Sequence, residues 1–331
     1  MRAEVRLLIV AAALLLTAGS VDAGGTPLRF GLAVEGLPRS TEVLADLERE
    51  VGLPVSLLNV FLQWPADPAS GEFPLATAHA AEAHGATLCL TWEPMFLENG
   101  REHAIPAEDI LSGRYDDYIL RFARAAASVN APLILRFGHE MNLARYHWGG
   151  TAEAYGPDSP GRFREMFRHV VHLFRHAGAS LVTFAFCPNM ESLPNPTSSP
   201  EAAWNTAKAY YPGDDVVDLL GMDGYNWGTT QSRATHGWQS QWRDFENMFA
   251  SLYAELRALN PSAPLYVFET SCAAQGGDKA QWLRDALATS RHWGLEGLIW
   301  FQANKEVDWR LRTGIAEHDV ATLRRALLPV P

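Results

Sequence analysis

Between Pro132 and Trp148 the chain reads PLILRFGHEMNLARYHW. Leu133, Ile134 and Leu135 form the kind of apolar run that makes a strand buried on both faces. Arg136, His139, Glu140 and Asn142 then arrive within seven residues, followed by Tyr146, His147 and Trp148. A buried strand ending in a carboxylate among hydrogen-bonding side chains suits acid–base or nucleophilic chemistry at the C-terminal rim of a barrel. The plainer alternative is a strand-end carboxylate paired with Arg136. A second such carboxylate stands in PLYVFETS, where Glu269 follows four apolar residues. Emerging there costs it hydration, and its protonated form is favoured unless hydrogen bonds compensate. Two carboxyls facing each other across a barrel mouth are able to flank a glycosidic bond. One protonates the leaving oxygen while the other attacks carbon or activates water.

Such groups need a frame. From Pro27 onward, apolar runs alternate with helical patterns eight times: 28–34, 54–63, 86–92, 133–139, 181–186, 216–223, 265–268 and 297–301. Helical patterns cover Thr41–Val51, Ala76–His84, Tyr115–Val129 and Lys279–Arg291. This spells an α/β fold of the (β/α)8 TIM barrel type, in a single domain. The competing doubly wound sheet lacks a G-x-G-x-x-G after any strand. Acids close other predicted strands: Glu93 follows the third, Asp223 ends the sixth and is expected to orient its neighbours, and Glu296 precedes the eighth and so faces the opposite rim. Glu93 is open to sugar-hydroxyl binding or to structural pairing. Trp64, Trp92, Trp148, Trp227 and Trp300 fall at or just after predicted strand ends, where a ring either stacks on a sugar or packs the rim. His169, His172 and His176 share one outer helix and read as a solvated face rather than metal ligands.

Composition narrows the class. The sequence carries 27 basic against 38 acidic side chains, a net charge of −11, which argues against nucleic acid and anionic membrane surfaces as partners. Residues 1–23 have a basic start at Arg2 and Arg6, an apolar stretch Leu7–Leu16 and a small-residue cut site at Val21-Asp22-Ala23. That is the pattern of a secretory signal peptide, too short to span a bilayer, which leaves 24–331 as an exported domain, periplasmic or extracellular. The three cysteines, Cys89, Cys187 and Cys272, sit in or just after apolar runs without metal-ligand spacing, and read as buried, inert thiols.

The motifs in order resemble glycoside hydrolase family 26. They are TWEP (Thr91–Pro94), RFGHEMN (Arg136–Asn142), Pro188-Asn189, YYPGDDVVDLLGMDGYNWG (Tyr210–Gly228), Phe245-Glu246, FETS (Phe268–Ser271), and Trp300-Phe301 with Asp308–Arg310. The resemblance implies a retaining endo-acting β-glycanase without metal or organic cofactor. Glu140 matches its acid/base and Glu269 its nucleophile. His139 matches the histidine that positions the reacting groups, Tyr225 the tyrosine donating to the nucleophile, and Trp300 the aromatic platform under the sugar being cleaved. Arg136 and Asn142 match supporting polar groups, and Trp227 gains as a sugar-binding candidate from its motif. The family's usual continuation after HEMN is changed here: Arg145 stands at a Trp position and His147 at a Pro position, and Cys187 replaces a serine before Pro-Asn. The expected substrate is β-1,4-mannan. The alternatives are mixed-linkage β-glucan, xylan or an exopolysaccharide trimmed by its own cell. The rival classes are a non-catalytic polysaccharide-binding barrel and a metal-dependent hydrolase.

Overall fold

The computed structural model describes residues 27–146, 148–150 and 154–327. The signal-peptide expectation for 1–23 and the substitution at His147 lie outside the described residues. Eight parallel strands form the frame: β1 (Arg29–Val34), β2 (Leu57–Gln63), β3 (Thr87–Glu93), β4 (Leu133–Phe137), β5 (Val182–Phe186), β6 (Leu219–Asn226), β7 (Leu265–Cys272) and β8 (Gly297–Phe301). They close in sequence order, β8 pairing with β1, as the (β/α)8 reading requires. The main helices are α1 (Thr41–Val51), α2 (Leu75–His84), α3 (Asp116–Ser128), α4 (Ser159–His176), α5 (Phe245–Leu259), α6 (Lys279–His292) and α7 (Glu317–Leu327). Among the described residues no helix is long and apolar enough to cross a membrane.

Several expected strands shift, β2 starting at Leu57 rather than Pro54. β6 starts three residues late, because Val216 and Val217 are apolar for a buried turn rather than for a strand. β6 and β7 then run on into their polar tails, pairing as far as Tyr225 with Ser271 and Asn226 with Cys272. The expectation of a bare strand end at Phe268 fails for that reason: Glu269 lies inside a strand. β4 is shorter than expected and stops at Phe137. An antiparallel hairpin, Met95–Glu98 with Arg101–Ala104, follows β3 and was not anticipated.

Strand alternation divides the interior into two cores. One set of side chains, including Ala33, Leu57, Cys89, Ile134, Ala185, Tyr266, Phe268 and Ile299, fills the barrel. The other, including Leu88, Leu90, Trp92, Leu135, Phe137, Val267, Leu298 and Trp300, packs between barrel and helices. α4 meets that outer core with Phe163, Met166, Phe167, Val170, Val171 and Phe174, a helical spacing of three and four. Its His172 and His176 are exposed, and His169 pairs with Asp116 of α3 at 2.6 Å. All three cysteines are buried and unpaired, and burial pushes the Cys89 and Cys272 thiols up to about 12. Toward the C-terminal mouth the barrel lining turns polar, with Asn59, Thr91, Arg136, Asp223 and Glu269 all buried.

Candidate active site

Glu140 sits on a turn that the backbone makes as soon as β4 ends. Gly138 has φ +56° and Glu140 itself φ +50°, a left-handed conformation uncommon outside glycine. Glycine suits position 138 because an added Cβ would lie 3.1 Å from the Phe163 ring. Hydrogen bonds hold the turn: the Glu140 N–H donates to the Cys187 carbonyl at 2.8 Å, and the Leu143 N–H to the Glu140 carbonyl at 2.9 Å. A strained residue fixed in this way presents its side chain in one direction. The Glu140 carboxyl accepts from Asn189 Nδ2 at 2.6 Å and is also bonded by Tyr146. Burial, and then the charge of Glu269, push its pKa up to about 7.

Glu269 reaches the same cleft by a different device. Along β6 and β7 the register runs Met222 to Val267 and then Asp223 to Glu269, so Phe268 is the extra residue of a β-bulge. Without it, Phe268 and Glu269 would face opposite sides of the strand. With it, Phe268 fills the barrel and Glu269 lines the mouth. Two donors converge on the Glu269 carboxylate: the Arg136 guanidinium on Oε1 and the Tyr225 hydroxyl on Oε2, the latter at 2.6 Å. Arg136 is fully buried, and burial works against its charge, but Asp223 and then Glu269 hold its pKa well above the ordinary value. Its Nη1 donates to Asp223, and its Nε and Nη2 reach Thr91 Oγ1 at 3.0 and 2.6 Å. Arg136 therefore serves Glu269 and Asp223 rather than Glu140. Cys187 enters this network as well, its thiol donating to Asp223 Oδ1 at 3.2 Å.

Glu140 and Glu269 open into a cleft of about 1220 Å³ across the barrel mouth. The sequence profile of Glycosyl hydrolase family 26 matches residues 111–255. Endoglucanase H of Acetivibrio thermocellus is 32% identical over 305 residues, covering 90% of this chain. The chain is similar to glycosyl hydrolase family 26. It spans 30% of the length of that relative. The Bacillus subtilis mannanase BCman shares the fold with a TM-score of 0.61 at 14% identity, over 88% of this chain and 86% of that one. The catalytic domain of a family 26 endo-β-1,4-mannanase from Bacillus sp. JAMB-750 does so with a TM-score of 0.61 at 17% identity, over 91% and 85%.

Within this barrel the expected site residues divide into those at the cleft and those behind it. Glu93, Tyr225 and Trp227 line it with the two catalytic candidates. Glu93 is 4% exposed, accepts from Gln63, and is pushed up to about 7 by burial. His139 is buried with Nε2 3.8 Å from Glu269 Oε1, and burial followed by the charges of Arg136 and Arg145 holds its pKa well below the ordinary value, so the ring is neutral. Asn142 faces protein, not sugar. Its amide donates to the carbonyls of Asn189 and Glu191 and accepts from the Asn189 N–H, clamping the loop after β5 that brings Asn189 to Glu140. Trp148 is likewise a support, its indole donating to the His139 carbonyl at 2.6 Å and its ring stacked on Tyr146.

Two platform expectations are corrected. Trp92 is fully buried and stacks on Phe122 of α3 at 4.4 Å, because Thr91 and Glu93 on either side of it face inward. Trp300 is fully buried against Trp282 of α6, and its indole donates to the Trp309 carbonyl. Its neighbour Phe301 faces the cleft instead, with Trp309 and Phe61. Tyr146 and Asn189 were also missed as partners of Glu140. The altered loop explains one departure: Arg145 pairs in bidentate fashion with Glu102 of the hairpin, at 2.5 and 2.8 Å, and so fastens one wall of the cleft to another. His139, Asp223 and Glu269 have the spacing of a metal-ligand group, but Arg136 already takes oxygens of both carboxylates, and its charge disfavours a cation there.

Proposed function

We propose that this barrel is a retaining endo-β-glycanase of family 26, acting on an uncharged polysaccharide. The observation that carries the reading is the unequal environment of two carboxyls in one cleft. Glu140 is pushed up to about 7, and Glu269 is met by two donors aimed at an anion. Unequal carboxyls are what acid and nucleophile assignments require. Glu140 protonates the leaving oxygen while a Glu269 oxygen attacks the anomeric carbon, giving a glycosyl ester. Forming that ester removes the negative charge that helped to raise Glu140, which then takes a proton from the water that hydrolyses the ester. Tyr225 and Arg136 hold Glu269 in line for the attack.

The cleft lining supports a neutral substrate. Among the described residues that line it, the three basic ones are each engaged by a glutamate: Arg145 by Glu102, Arg243 by Glu191, and Lys305 by Glu35. None is left to meet a uronate. For the sugar, the 32% identical relative is named an endoglucanase, whereas likeness to mannanases at 14–17% identity supports the fold alone. We therefore place β-glucan ahead of the β-1,4-mannan expected from the sequence.

Reducing-end release from lichenan, cellulose derivatives, mannan and xylan tests the reading, with the first-formed anomer identified by proton NMR. Wild type is expected to release β-anomeric ends from a β-glucan. Glu269→Ala should abolish release, and Glu140→Gln should slow it about 10²–10⁴-fold, the usual share of general acid catalysis. First-formed α-anomer would overturn retention, and silence on every neutral β-glycan would overturn the hydrolase reading.

A further inference from the structure

We infer that Trp238, with Gln239 and Gln241 beside it, forms a distal sugar subsite at the rim of the cleft; the inference rests on the polysaccharide-hydrolase reading above. Trp238 is 44% exposed, yet it lines the same cleft as Glu140 and Glu269. It also ends a continuous line of rings that begins at the reacting groups. Tyr225, bonded to Glu269, meets Trp309 at 5.1 Å, Trp309 meets Trp227 at 4.9 Å, and Trp227 meets Trp238 at 5.5 Å. Each step is close to the length of one β-linked hexose, so Trp238 lies within three sugar residues of Tyr225. Exposure rises at the outer end of the line, from buried Trp309 through half-buried Trp227 to exposed Trp238.

The loop that carries Trp238 is braced. The Gln231 N–H donates to Ser240 Oγ at 3.0 Å and the Ser240 N–H returns a bond to the Gln231 carbonyl at 3.2 Å, closing the loop tip around Trp238. Gly237, at φ +77°, turns the chain immediately before it. On the far side of the tip, Trp282 of α6 donates its indole N–H to the Arg243 carbonyl at 2.8 Å. A ring held in this way loses little freedom when a ligand stacks on it. Its chemistry fits a neutral sugar: a flat apolar face for the C–H side of the ring, and two exposed amides that both donate to and accept from hydroxyls.

The test compares wild type, Trp238→Ala and Trp238→Phe on two substrates, an aryl β-disaccharide and a hexasaccharide of the same linkage. The disaccharide is two sugars long against the three ring steps that lead to Trp238, and its turnover also reports that the variant is folded. Trp238→Ala is expected to lose about tenfold in kcat/KM on the hexasaccharide, carried by KM, the scale of one lost ring-packing contact. Turnover of the disaccharide should stay unchanged, and Trp238→Phe should fall between. Equal losses on both substrates would overturn the subsite and make Trp238 a support of the catalytic loop. No loss on either would assign the exposed ring to some other partner and overturn it too. A wild type silent on every neutral β-glycan sinks the hydrolase reading and the subsite with it, whereas an active wild type with an unaltered Trp238→Ala sinks only the subsite.

Discussion

Asn189 limits how far Glu140 is driven from ordinary carboxylate behaviour. Burial and Glu269 push Glu140 up, while the Asn189 amide, donating at 2.6 Å, favours the ionised form and works the other way. The orientation of that amide is fixed from the other end, where its oxygen accepts the Glu191 N–H at 2.9 Å. If Glu140 is the proton donor, kcat/KM falls as pH rises past its pKa, so the alkaline limb of the profile reports it. Removing a donor to the carboxylate raises the pKa. Asn189→Ala should therefore move the alkaline limb upward by about one pH unit, the worth of a hydrogen bond to a charged group. A pH profile on a soluble aryl glycoside measures this, and Tyr146→Phe should move the limb the same way. A limb unmoved by either change would show that the profile reports some other group.

At the scale of elements, the β7 bulge ties the packing of the barrel to its chemistry. Gly221 on β6 faces Phe268, and a Cβ there would lie 2.5 Å from the Phe268 ring and 2.8 Å from Cys187 Sγ. Gly221→Ala must displace the residue immediately before Glu269 in the bulge. It is expected to cost about 1–3 kcal/mol in urea unfolding and to lower kcat as well, because Glu269 moves with its neighbour. Gly156→Ala, with nothing within 4 Å, is the matched control and should change neither. The bulge also marks where the sequence stops being legible. Eight apolar runs, their order and both glutamates can be read from local pattern. So can the inward face of GLIWF, since Ile299 and Phe301 share a side and leave Trp300 outside; the resemblance pointed to Trp300, and strand alternation overrides it. TLCLTWE behaves alike, with Cys89 filling the barrel, Glu93 at the cleft and Trp92 outside. No local pattern carries the bonds from Arg136 to Asp223 and Glu269, 87 and 133 residues away, which exist only once the barrel has closed. Asn142 matches a supporting polar group in the sequence, and what it supports, the loop after β5, is set only when that loop folds onto it.

For the whole molecule, the site opposes stability over a definite range of pH. Glu93 and Glu140 are both buried, and burial first of all lifts each from 4.5 to about 7. Between those values the folded state holds protons that the unfolded chain has released. Stability therefore falls as pH rises through this window; the carboxyls carry no penalty below 4.5 and the full one above 7. A carboxyl lifted that far corresponds to on the order of 3 kcal/mol, and the two are not additive because both feel Glu269. Glu140→Gln keeps the shape of the side chain and an oxygen to accept from Asn189, but has no proton to lose. It should be more stable than wild type by on the order of 2–3 kcal/mol at pH 8, and nearly equal to it at pH 4.5. Urea unfolding at the two pH values measures the difference directly. Equal stability at pH 8 would mean that the Asn189 and Tyr146 bonds compensate the buried charge in full. The proton on Glu140 would then have no hold on folding, and the alkaline limit of activity would have to come from another group. The expected outcome instead makes the destabilised carboxyl and the proton donor one and the same, so that any change stabilising the barrel at this position removes its acid.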